Sequence, residues 1–260
     1  MASILAAYEY DIFISYRQKD NRGDRWVSEF VDALKDELES TFKEEISVYF
    51  DINPHDGLLE THDVGASLKE KLKCLIFIPI ISQTYCDPNC FAWQYEFAAF
   101  NKMAKEDQFG RDIRLSGGNV ASRILPVKIH DLDQEDKALL ENELGGVLRS
   151  IEFIYKSAGV NRPLRANEDH PQDNLNKTFY RDQINKVANA AKEIITALKK
   201  HVQHNLDMPK EVAKENRGYS KNLNPKIILI SVVVLALIGT GYFFIPNLFN
   251  PPETIEKSIS

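Results

Sequence analysis

Apolar residues recur along the first 200 residues in two patterns that alternate. Continuous apolar runs rich in β-branched and aromatic residues are typical of strands buried on both faces, whereas apolar residues three and four apart are typical of helices. These patterns predict strands at residues 10–16, 46–51, 74–81, 123–129 and 151–155, and helices at residues 26–38, 64–72, 89–106 and 178–200. Strands that alternate with helices predict an α/β domain, a doubly wound five-stranded parallel sheet with helices on both faces.

The longest apolar stretch lies near the end of the chain, at residues 227–245, and contains no acidic or basic side chain. A helix of that length is roughly 28 Å long, close to the ~30 Å hydrocarbon core of a bilayer. The alternative is a helix buried in a protein core, but such a helix usually keeps one polar face. Here the polar side chains are only Ser231, Thr240 and Tyr242. We therefore expect one C-terminal transmembrane helix, and with it a lipid bilayer as a partner.

Basic residues are distributed unevenly around this stretch. Lys or Arg occurs seven times between residues 199 and 226, and only Lys257 follows the apolar stretch. Because cytoplasmic flanks carry the excess of basic residues, we expect a single-pass membrane protein with a cytoplasmic N-terminal head. The expected domains are a head at residues 1–202, a polar linker at 203–226, the span at 227–245 and a short tail at 246–260. The chain starts without the basic and apolar segments of a signal peptide, so we expect insertion through the C-terminal span.

Composition excludes some classes of function. The formal net charge of −6, without a basic groove rich in aromatic residues, argues against a nucleic-acid partner. Of three cysteines, Cys74 lies in an apolar run and is expected in the core. Cys86 and Cys90 are four residues apart without a second such pair, so packing is favoured over zinc, and no metal site is expected.

Ligands of open parallel sheets bind beyond the carboxyl ends of the strands. Residues 17–24, 52–63 and 82–89 follow the first three predicted strands and would border that crevice. Neither G-x-G-x-x-G nor G-x-x-x-x-G-K-[ST] occurs in the chain, which argues against a dinucleotide-binding fold of that kind and against a phosphate loop. The first strand does not end in paired acids and the third is followed by Ser82, which argues against a phosphoacceptor domain.

Glu96 is the candidate for chemistry at the crevice. It lies near the start of a predicted helix among aromatic residues, in the sequence FAWQYEF of residues 91–97. Partial burial among aromatic rings would raise the pKa of its carboxyl group. The alternative is an ordinary helical glutamate that faces water.

Three segments resemble the Toll/interleukin-1 receptor (TIR) family, of the bacterial kind. They are YDIFISYRQKD at residues 10–20, VYFDINPHDGL at 48–58 and CLIFIPIISQTYCDPNCFAWQYEF at 74–97. The resemblance covers roughly residues 8–155, with the later helix completing the domain, and it implies the flavodoxin-like fold of that family. Many TIR domains hydrolyse NAD⁺, so the resemblance implies NAD⁺ as substrate, with no cofactor, and Glu96 as the catalytic residue.

The resemblance also implies roles for residues that line the family's cleft. Tyr16 and Arg17 would bind substrate, and Arg17 would pair with the pyrophosphate or remain a solvated loop charge. Ser82 would bond the ligand or cap the next turn. Trp93 would stack on an aromatic ring or fill the core. The family often has its tryptophan four residues before the glutamate, whereas Trp93 is three before Glu96 and Ala92 holds the usual place.

A long loop after the second strand mediates TIR–TIR contacts in the family. The corresponding residues here include Pro54, Gly57, Leu58 and Leu59, and the leucines would either contact a neighbouring TIR domain or fold back onto the head. The resemblance implies an NAD⁺ hydrolase or cyclase of signalling or defence, activated by clustering, with other TIR domains as partners in a homo-oligomer. The alternatives are a non-catalytic adaptor and a module that senses NAD-like ligands without turnover. If Glu96 is not the catalytic acid, Asp24 and Asp87 are the next candidates.

Overall fold

The computed structural model describes residues 2–51, 64–147, 149–168 and 179–207. The chain divides into two units, Met1–Leu206 and Asp207–Ser260, and the described residues belong almost entirely to the first. Within these ranges no helix has the length and apolar character needed to cross a bilayer. The predicted span at 227–245 and the tail lie outside the described residues, as does the linker beyond residue 207.

A five-stranded parallel sheet occupies the centre of the first unit. In the described part of the chain the strands are β1 Tyr10–Ser15, β2 Val48–Phe50, β3 Cys74–Ile81, β4 Asp112–Arg114, β5 Val120–Ser122, β6 Val127–Lys128, β7 Ile151–Glu152, β8 Ile154–Ser157 and β9 Val160–Pro163. The sheet has the order β2-β1-β3-β6-β7, and all its pairs are parallel. This order confirms the predicted doubly wound sheet and places the reversal of strand order between β1 and β3, where such sheets bind ligands.

The last two strands of the sheet along the chain, β6 and β7, are shorter than the sequence predicts. Pro126 interrupts the predicted strand at 123–129, because proline has no N–H to donate to the ladder. The ladder with β3 contains only Val127 and Lys128, preceded by an isolated bridge from Ile124 to Phe77. The predicted strand at 151–155 divides after Glu152, and the chain then enters a hairpin of β8 and β9. That hairpin and the hairpin of β4 and β5 were not predicted, because their strands are short and mostly polar.

Helices cover both faces of the sheet. The α-helices among the described residues are α1 Trp26–Thr41, α2 Val64–Lys71, α3 Ala98–Glu106, α4 Gln134–Leu144 and α5 Tyr180–Asp207. The predicted helix at 89–106 consists of a π-helix at Ala92–Phe97 followed by α3. Helix α5 extends past the predicted end of the head at residue 202.

Helix α4 was not predicted, since only Leu144 is buried along it and it has no clear apolar stripe. Its ends are nevertheless marked in the sequence. The side chain of Asp133 accepts a hydrogen bond from the backbone N–H of Asp136 at 2.8 Å, which is a typical N-cap. Gly145, at φ 71°, ends the helix in the left-handed conformation that glycine adopts without strain.

Two hydrophobic clusters form the core, one on each face of the sheet. Successive residues of β1 point to opposite faces, so Ile12 and Ile14 belong to the cluster under α1 and α5. Phe13 belongs to the cluster under α3 and α4. The helix that carries Glu96 packs on this second cluster through Trp93 and Phe97.

The amino edge of the sheet contains a buried arginine, Arg123, with an exposed fraction of 1%. Its guanidinium donates to the carbonyl oxygens of Leu75 at 2.9 Å, Cys74 at 2.8 Å and Gly110 at 3.1 Å. It also forms an ion pair with Asp107 at 2.8 Å. Because its donors meet oxygen acceptors, this charge joins the start of β3 to the β4–β5 region.

Candidate active site

A cavity of about 350 Å³ opens beyond the carboxyl ends of β1 and β2, at the edge of the sheet where the sequence predicts the crevice. Its size lies within the range of small-molecule sites. Three segments line it: the residues after β1, the residue after β2 and the start of the π-helix. The lining residues are Tyr16, Arg17, Gln18, Lys19, Arg22, Asp51, Phe91, Ala92 and Glu96.

Glu96 places its carboxyl group on the wall of this cavity, and the side chain is only partly exposed. The pKa of this carboxyl group is raised from 4.5 to about 7, mainly by burial and to a smaller extent by the negative charge of Asp51. A hydrogen bond from the Ser15 hydroxyl, with an Oγ–Oε2 distance of 2.6 Å, opposes that rise. At neutral pH Glu96 therefore exists in both protonation states, a property of groups that take part in catalysis.

The Ser15 hydroxyl also contacts a second buried group. Its oxygen lies 2.8 Å from the phenol oxygen of Tyr85, and both Ser15 and Tyr85 are fully buried. Tyr85 comes from the segment after β3 and packs its ring against Trp93 and Phe97. A chain of three polar side chains thus runs from the core to the cavity.

Positively charged side chains also line the cavity. Arg17, Lys19 and Arg22 lie in or beside a short 3₁₀-helix at Gln18–Asn21, directly after β1. Arg17 also lies 3.8 Å from Asp87. Guanidinium and ammonium groups so placed can bind the oxygens of a phosphate or pyrophosphate.

Ser82 supports this cationic segment and does not line the cavity. It is fully buried, and its hydroxyl donates to Asp20 at 2.5 Å and accepts from the backbone N–H of Tyr85 at 3.0 Å. Thr84 donates to the other carboxylate oxygen of Asp20 at 3.0 Å. Ser82 therefore caps the turn after β3 and anchors the 3₁₀-helix, while its predicted bond to a ligand stays a prediction.

Trp93 lies in the core, with an exposed fraction of 4%, and is not among the residues that line the cavity. Besides Tyr16, the aromatic residue on the cavity wall is Phe91, which is half exposed. The backbone explains why Phe91, and not Trp93, lines the cavity. The N–H of Ala98 donates to the carbonyl of Trp93, five residues earlier, as in a π-helix. That wider turn brings residues five apart, such as Phe91 and Glu96, to the same side. In an α-helix they would be ~140° apart.

The structure places the remaining predicted site residues as follows. Tyr16 lines the cavity, and its phenol donates to the backbone carbonyl of Asp51 at 2.6 Å. Arg17 lines it too. The alternative acids lie elsewhere, since Asp24 forms an ion pair with Arg165 and neither Asp24 nor Asp87 lines this cavity. The predicted self-association residues lie outside the described residues; they are Pro54, Gly57, Leu58 and Leu59.

Sequence reasoning missed Ser15, Asp51, Phe91 and Tyr85. Ser15 and Asp51 each follow or end an apolar run, so their position at the carboxyl edge of the sheet was a usable signal. Nothing in the sequence marks a π-helix, so the role of Phe91 became apparent only in the structure. Cys86 and Cys90 are buried in the core, and within the described ranges no group of three His, Cys, Asp or Glu side chains has the proximity to hold a metal ion.

Comparison with family models finds no match, and neither does comparison with curated proteins. Among solved structures, the chain is similar to one entitled "Structure of the activated Roq1 resistosome directly recognizing the pathogen effector XopQ (TIR domains)". The similarity covers 74% of this chain and 98% of that chain, with 16% sequence identity and a TM-score of 0.33. Values this low carry no conclusion about this chain, whose fold follows from its own strand order.

Proposed function

We propose that the head of this protein cleaves the bond between nicotinamide and ribose in NAD⁺, as a hydrolase or cyclase of the TIR type. The observation that carries the proposal is Glu96, a partly desolvated carboxyl group with a pKa of about 7 on the wall of a cavity that cations also line. The resemblance of residues 10–20, 48–58 and 74–97 to TIR motifs supplies the substrate class.

The side chains of the cavity suit the parts of such a substrate. Arg17, Lys19 and Arg22 would bind the pyrophosphate, and Phe91 would stack on one of the two heterocycles. Glu96 would lie beside the nicotinamide ribose. Cleavage leaves the bonding electron pair on nicotinamide and positive charge on the ribose, which an ionised carboxylate stabilises. Water then adds at the ribose carbon and releases a proton, or an atom of the adenine attacks in its place.

Membrane attachment and clustering belong to the same proposal. Residues 227–245 would anchor the head, with the head cytoplasmic, and residues Leu58 and Leu59 would contact a neighbouring copy. Confinement to a surface raises the effective concentration of the heads, so weak contacts between copies would suffice for activation. A signalling or defence role follows from the family resemblance.

The test measures nicotinamide release from NAD⁺ by the full-length chain in lipid vesicles, at high and low protein density. We expect turnover that rises with density. Glu96→Gln keeps the side-chain volume but loses the charge, and we expect its rate to fall by about 100-fold or more. Glu39→Gln is the matched control, because Glu39 is an exposed glutamate on α1, on the other face of the sheet, and should retain the full rate.

Circular dichroism of each variant checks that the fold is retained. Absence of NAD⁺ turnover by the wild-type chain at every density would contradict the enzyme proposal and favour the non-catalytic adaptor. Binding of NAD⁺ without turnover would favour the sensing module. Equal rates for wild type and Glu96→Gln would show that another residue is catalytic.

A further inference from the structure

Tyr85, Ser15 and Glu96 form a hydrogen-bonded chain whose direction follows from counting protons. Ser15 has one hydroxyl proton, and it is donated to the Glu96 carboxylate at 2.6 Å. The oxygen of Ser15 must then accept in its contact with Tyr85 at 2.8 Å, so the Tyr85 phenol donates. Burial keeps the pKa of Tyr85 well above its ordinary value. The phenol therefore keeps its proton at neutral pH.

The hydrogen-bonded chain of Tyr85, Ser15 and Glu96 is held rigidly at its inner end, at Tyr85. Tyr85 is fully buried, and its ring packs edge-on against Trp93 and Phe97, which belong to the same π-helix as Glu96. The backbone N–H of Tyr85 is bonded to Ser82 at 3.0 Å. The phenol therefore has little freedom to leave Ser15. A hydroxyl held in this way donates to a carboxylate without paying the full entropy of ordering.

We infer that Ser15 and Tyr85 are positioning residues for the proposed reaction, with Tyr85 acting through Ser15 to keep the Glu96 carboxylate ionised and directed at the cavity. The inference rests on the proposed role of Glu96. Hydrogen bonds to the charged form of an acid favour that form, whereas burial and a neighbouring negative charge oppose it. Ser15 is the side-chain donor to Glu96 in the described part of the chain. Its hydrogen bond therefore offsets part of the effect that burial and Asp51 have on the Glu96 carboxyl group.

The other titratable groups around Glu96 have different effects on its carboxyl group. Asp51, after β2, carries the same charge as Glu96 and opposes ionisation. Burial is the largest cause of the raised pKa of Tyr16, Tyr49 and Tyr85, and negative charge on Glu96 raises each of these pKa values further, so the phenols stay neutral. The cations that face the cavity belong to the segment after β1, and they are Arg17, Lys19 and Arg22.

The test compares Ser15→Ala, Tyr85→Phe and the double variant in the full-length chain. Loss of the Ser15 hydroxyl should raise the pKa of Glu96 by about one unit, a tenfold change in its protonation equilibrium. Tyr85→Phe should raise it by less, because Ser15 still donates. In the double variant the change should equal that of Ser15→Ala alone, because Tyr85 acts through Ser15.

Two measurements report the pKa of Glu96. The pH profile of kcat should shift to higher pH, so that the loss is greatest below pH 7 and small at high pH, with KM for NAD⁺ little changed. The carboxyl ¹³C shift of Glu96, assigned by its loss in Glu96→Gln, gives the pKa directly in detergent micelles and needs no activity. Tyr180→Phe is the control, since it removes a buried phenol from the cluster on the other face of the sheet and should move neither readout.

The two readouts separate the failure of the inference from the failure of the proposed function. Absence of NAD⁺ cleavage, combined with a ¹³C midpoint that shifts in Ser15→Ala and Tyr85→Phe, would contradict the function and retain the chain as a device that tunes Glu96. Midpoints unchanged in both variants would overturn the inference. So would an effect of Tyr85→Phe that is as large without Ser15 as with it.

Discussion

Arg123 and Glu96 are charged side chains at opposite edges of one sheet, and the protein compensates them to different degrees. Arg123, at the amino edge, meets the carbonyl oxygens of Leu75, Cys74 and Gly110 and the carboxylate of Asp107. The rings of Tyr8, Phe100 and Phe109 surround its guanidinium. Glu96, at the carboxyl edge, accepts one side-chain hydrogen bond, from Ser15. The negative charge of Asp51 repels its carboxylate.

The difference separates a structural charge from a candidate for chemistry. A buried charge that is fully hydrogen-bonded and paired contributes to a unique fold, and removal of its partners is costly. A carboxyl group that is only partly compensated has a pKa near neutrality and keeps interaction capacity for a ligand. We expect Arg123 to govern stability and Glu96 to govern activity.

The largest expected effect is on stability, in Arg123→Met. The substitution keeps an unbranched apolar side chain but removes the guanidinium donor from three carbonyl oxygens. It also removes the cation that pairs with Asp107, which keeps its hydrogen bonds from the Tyr8 hydroxyl and the backbone N–H of Phe109. Breaking a buried charge pair in this way costs about 3–5 kcal/mol. Thermal unfolding of the full-length chain, followed by the fluorescence of Trp26 and Trp93, which are both buried in the head, measures the change.

Arg114→Met is the matched control for that experiment, since Arg114 is exposed on β4 and its replacement should change stability by no more than about 0.5 kcal/mol. If the two arginine variants unfold at the same temperature, the amino edge is not the structural anchor that its hydrogen bonds indicate.

Two features of the molecule are predicted well from the sequence, namely strand β3 and the location of the site. Strand β3 is predicted to the residue, because its apolar run is uninterrupted and flanked by polar segments. The site's location follows from the rule that ligands bind at the carboxyl edge of such a sheet, and Tyr16, Arg17 and Glu96 do line one cavity there.

Other features depend on contacts that no local pattern encodes. Pro126 shortens β6 by removing a donor, and the hairpins β4–β5 and β8–β9 have short strands with polar faces. The π-helix accompanies an arrangement in which Trp93 packs in the core against Tyr85 and Phe97 while Phe91 lines the cavity wall. From the sequence alone, Arg123 cannot be told from an ordinary solvent-exposed charge at the start of a predicted strand.

The second prediction concerns the pH dependence of stability. In the folded chain the pKa of Glu96 is raised from 4.5 to about 7, so the native state binds a proton more tightly than the unfolded state. Its contribution to stability is therefore fully present below pH 4.5 and is lost as the pH rises through 7. Such a shift corresponds to at most ~3 kcal/mol, and access of water from the cavity reduces this to about 2 kcal/mol.

Glu96→Gln should remove this pH dependence and stabilise the head above pH 7 by that amount. Unfolding curves of the full-length wild type and variant at pH 5, 6, 7 and 8 measure the difference, and the two should converge toward pH 5. Parallel curves across this range would mean that Glu96 is already ionised in the folded state at low pH, as a well-compensated carboxylate would be.

The smallest expected effect tests the negative charge beside Glu96. Asp107 neutralises Arg123 at the amino edge, whereas Asp51 repels Glu96 at the carboxyl edge. Asp51→Asn removes that repulsion, so the pKa of Glu96 should fall and the pH profile of NAD⁺ cleavage should move to lower pH. The shift should be less than about one unit, because burial is the larger cause. Asp87→Asn is the control, since Asp87, which lies 3.8 Å from Arg17, does not itself line the cavity. A profile that moves to higher pH in Asp51→Asn, or that moves equally in both variants, would show that the charge beside Glu96 does not set its protonation.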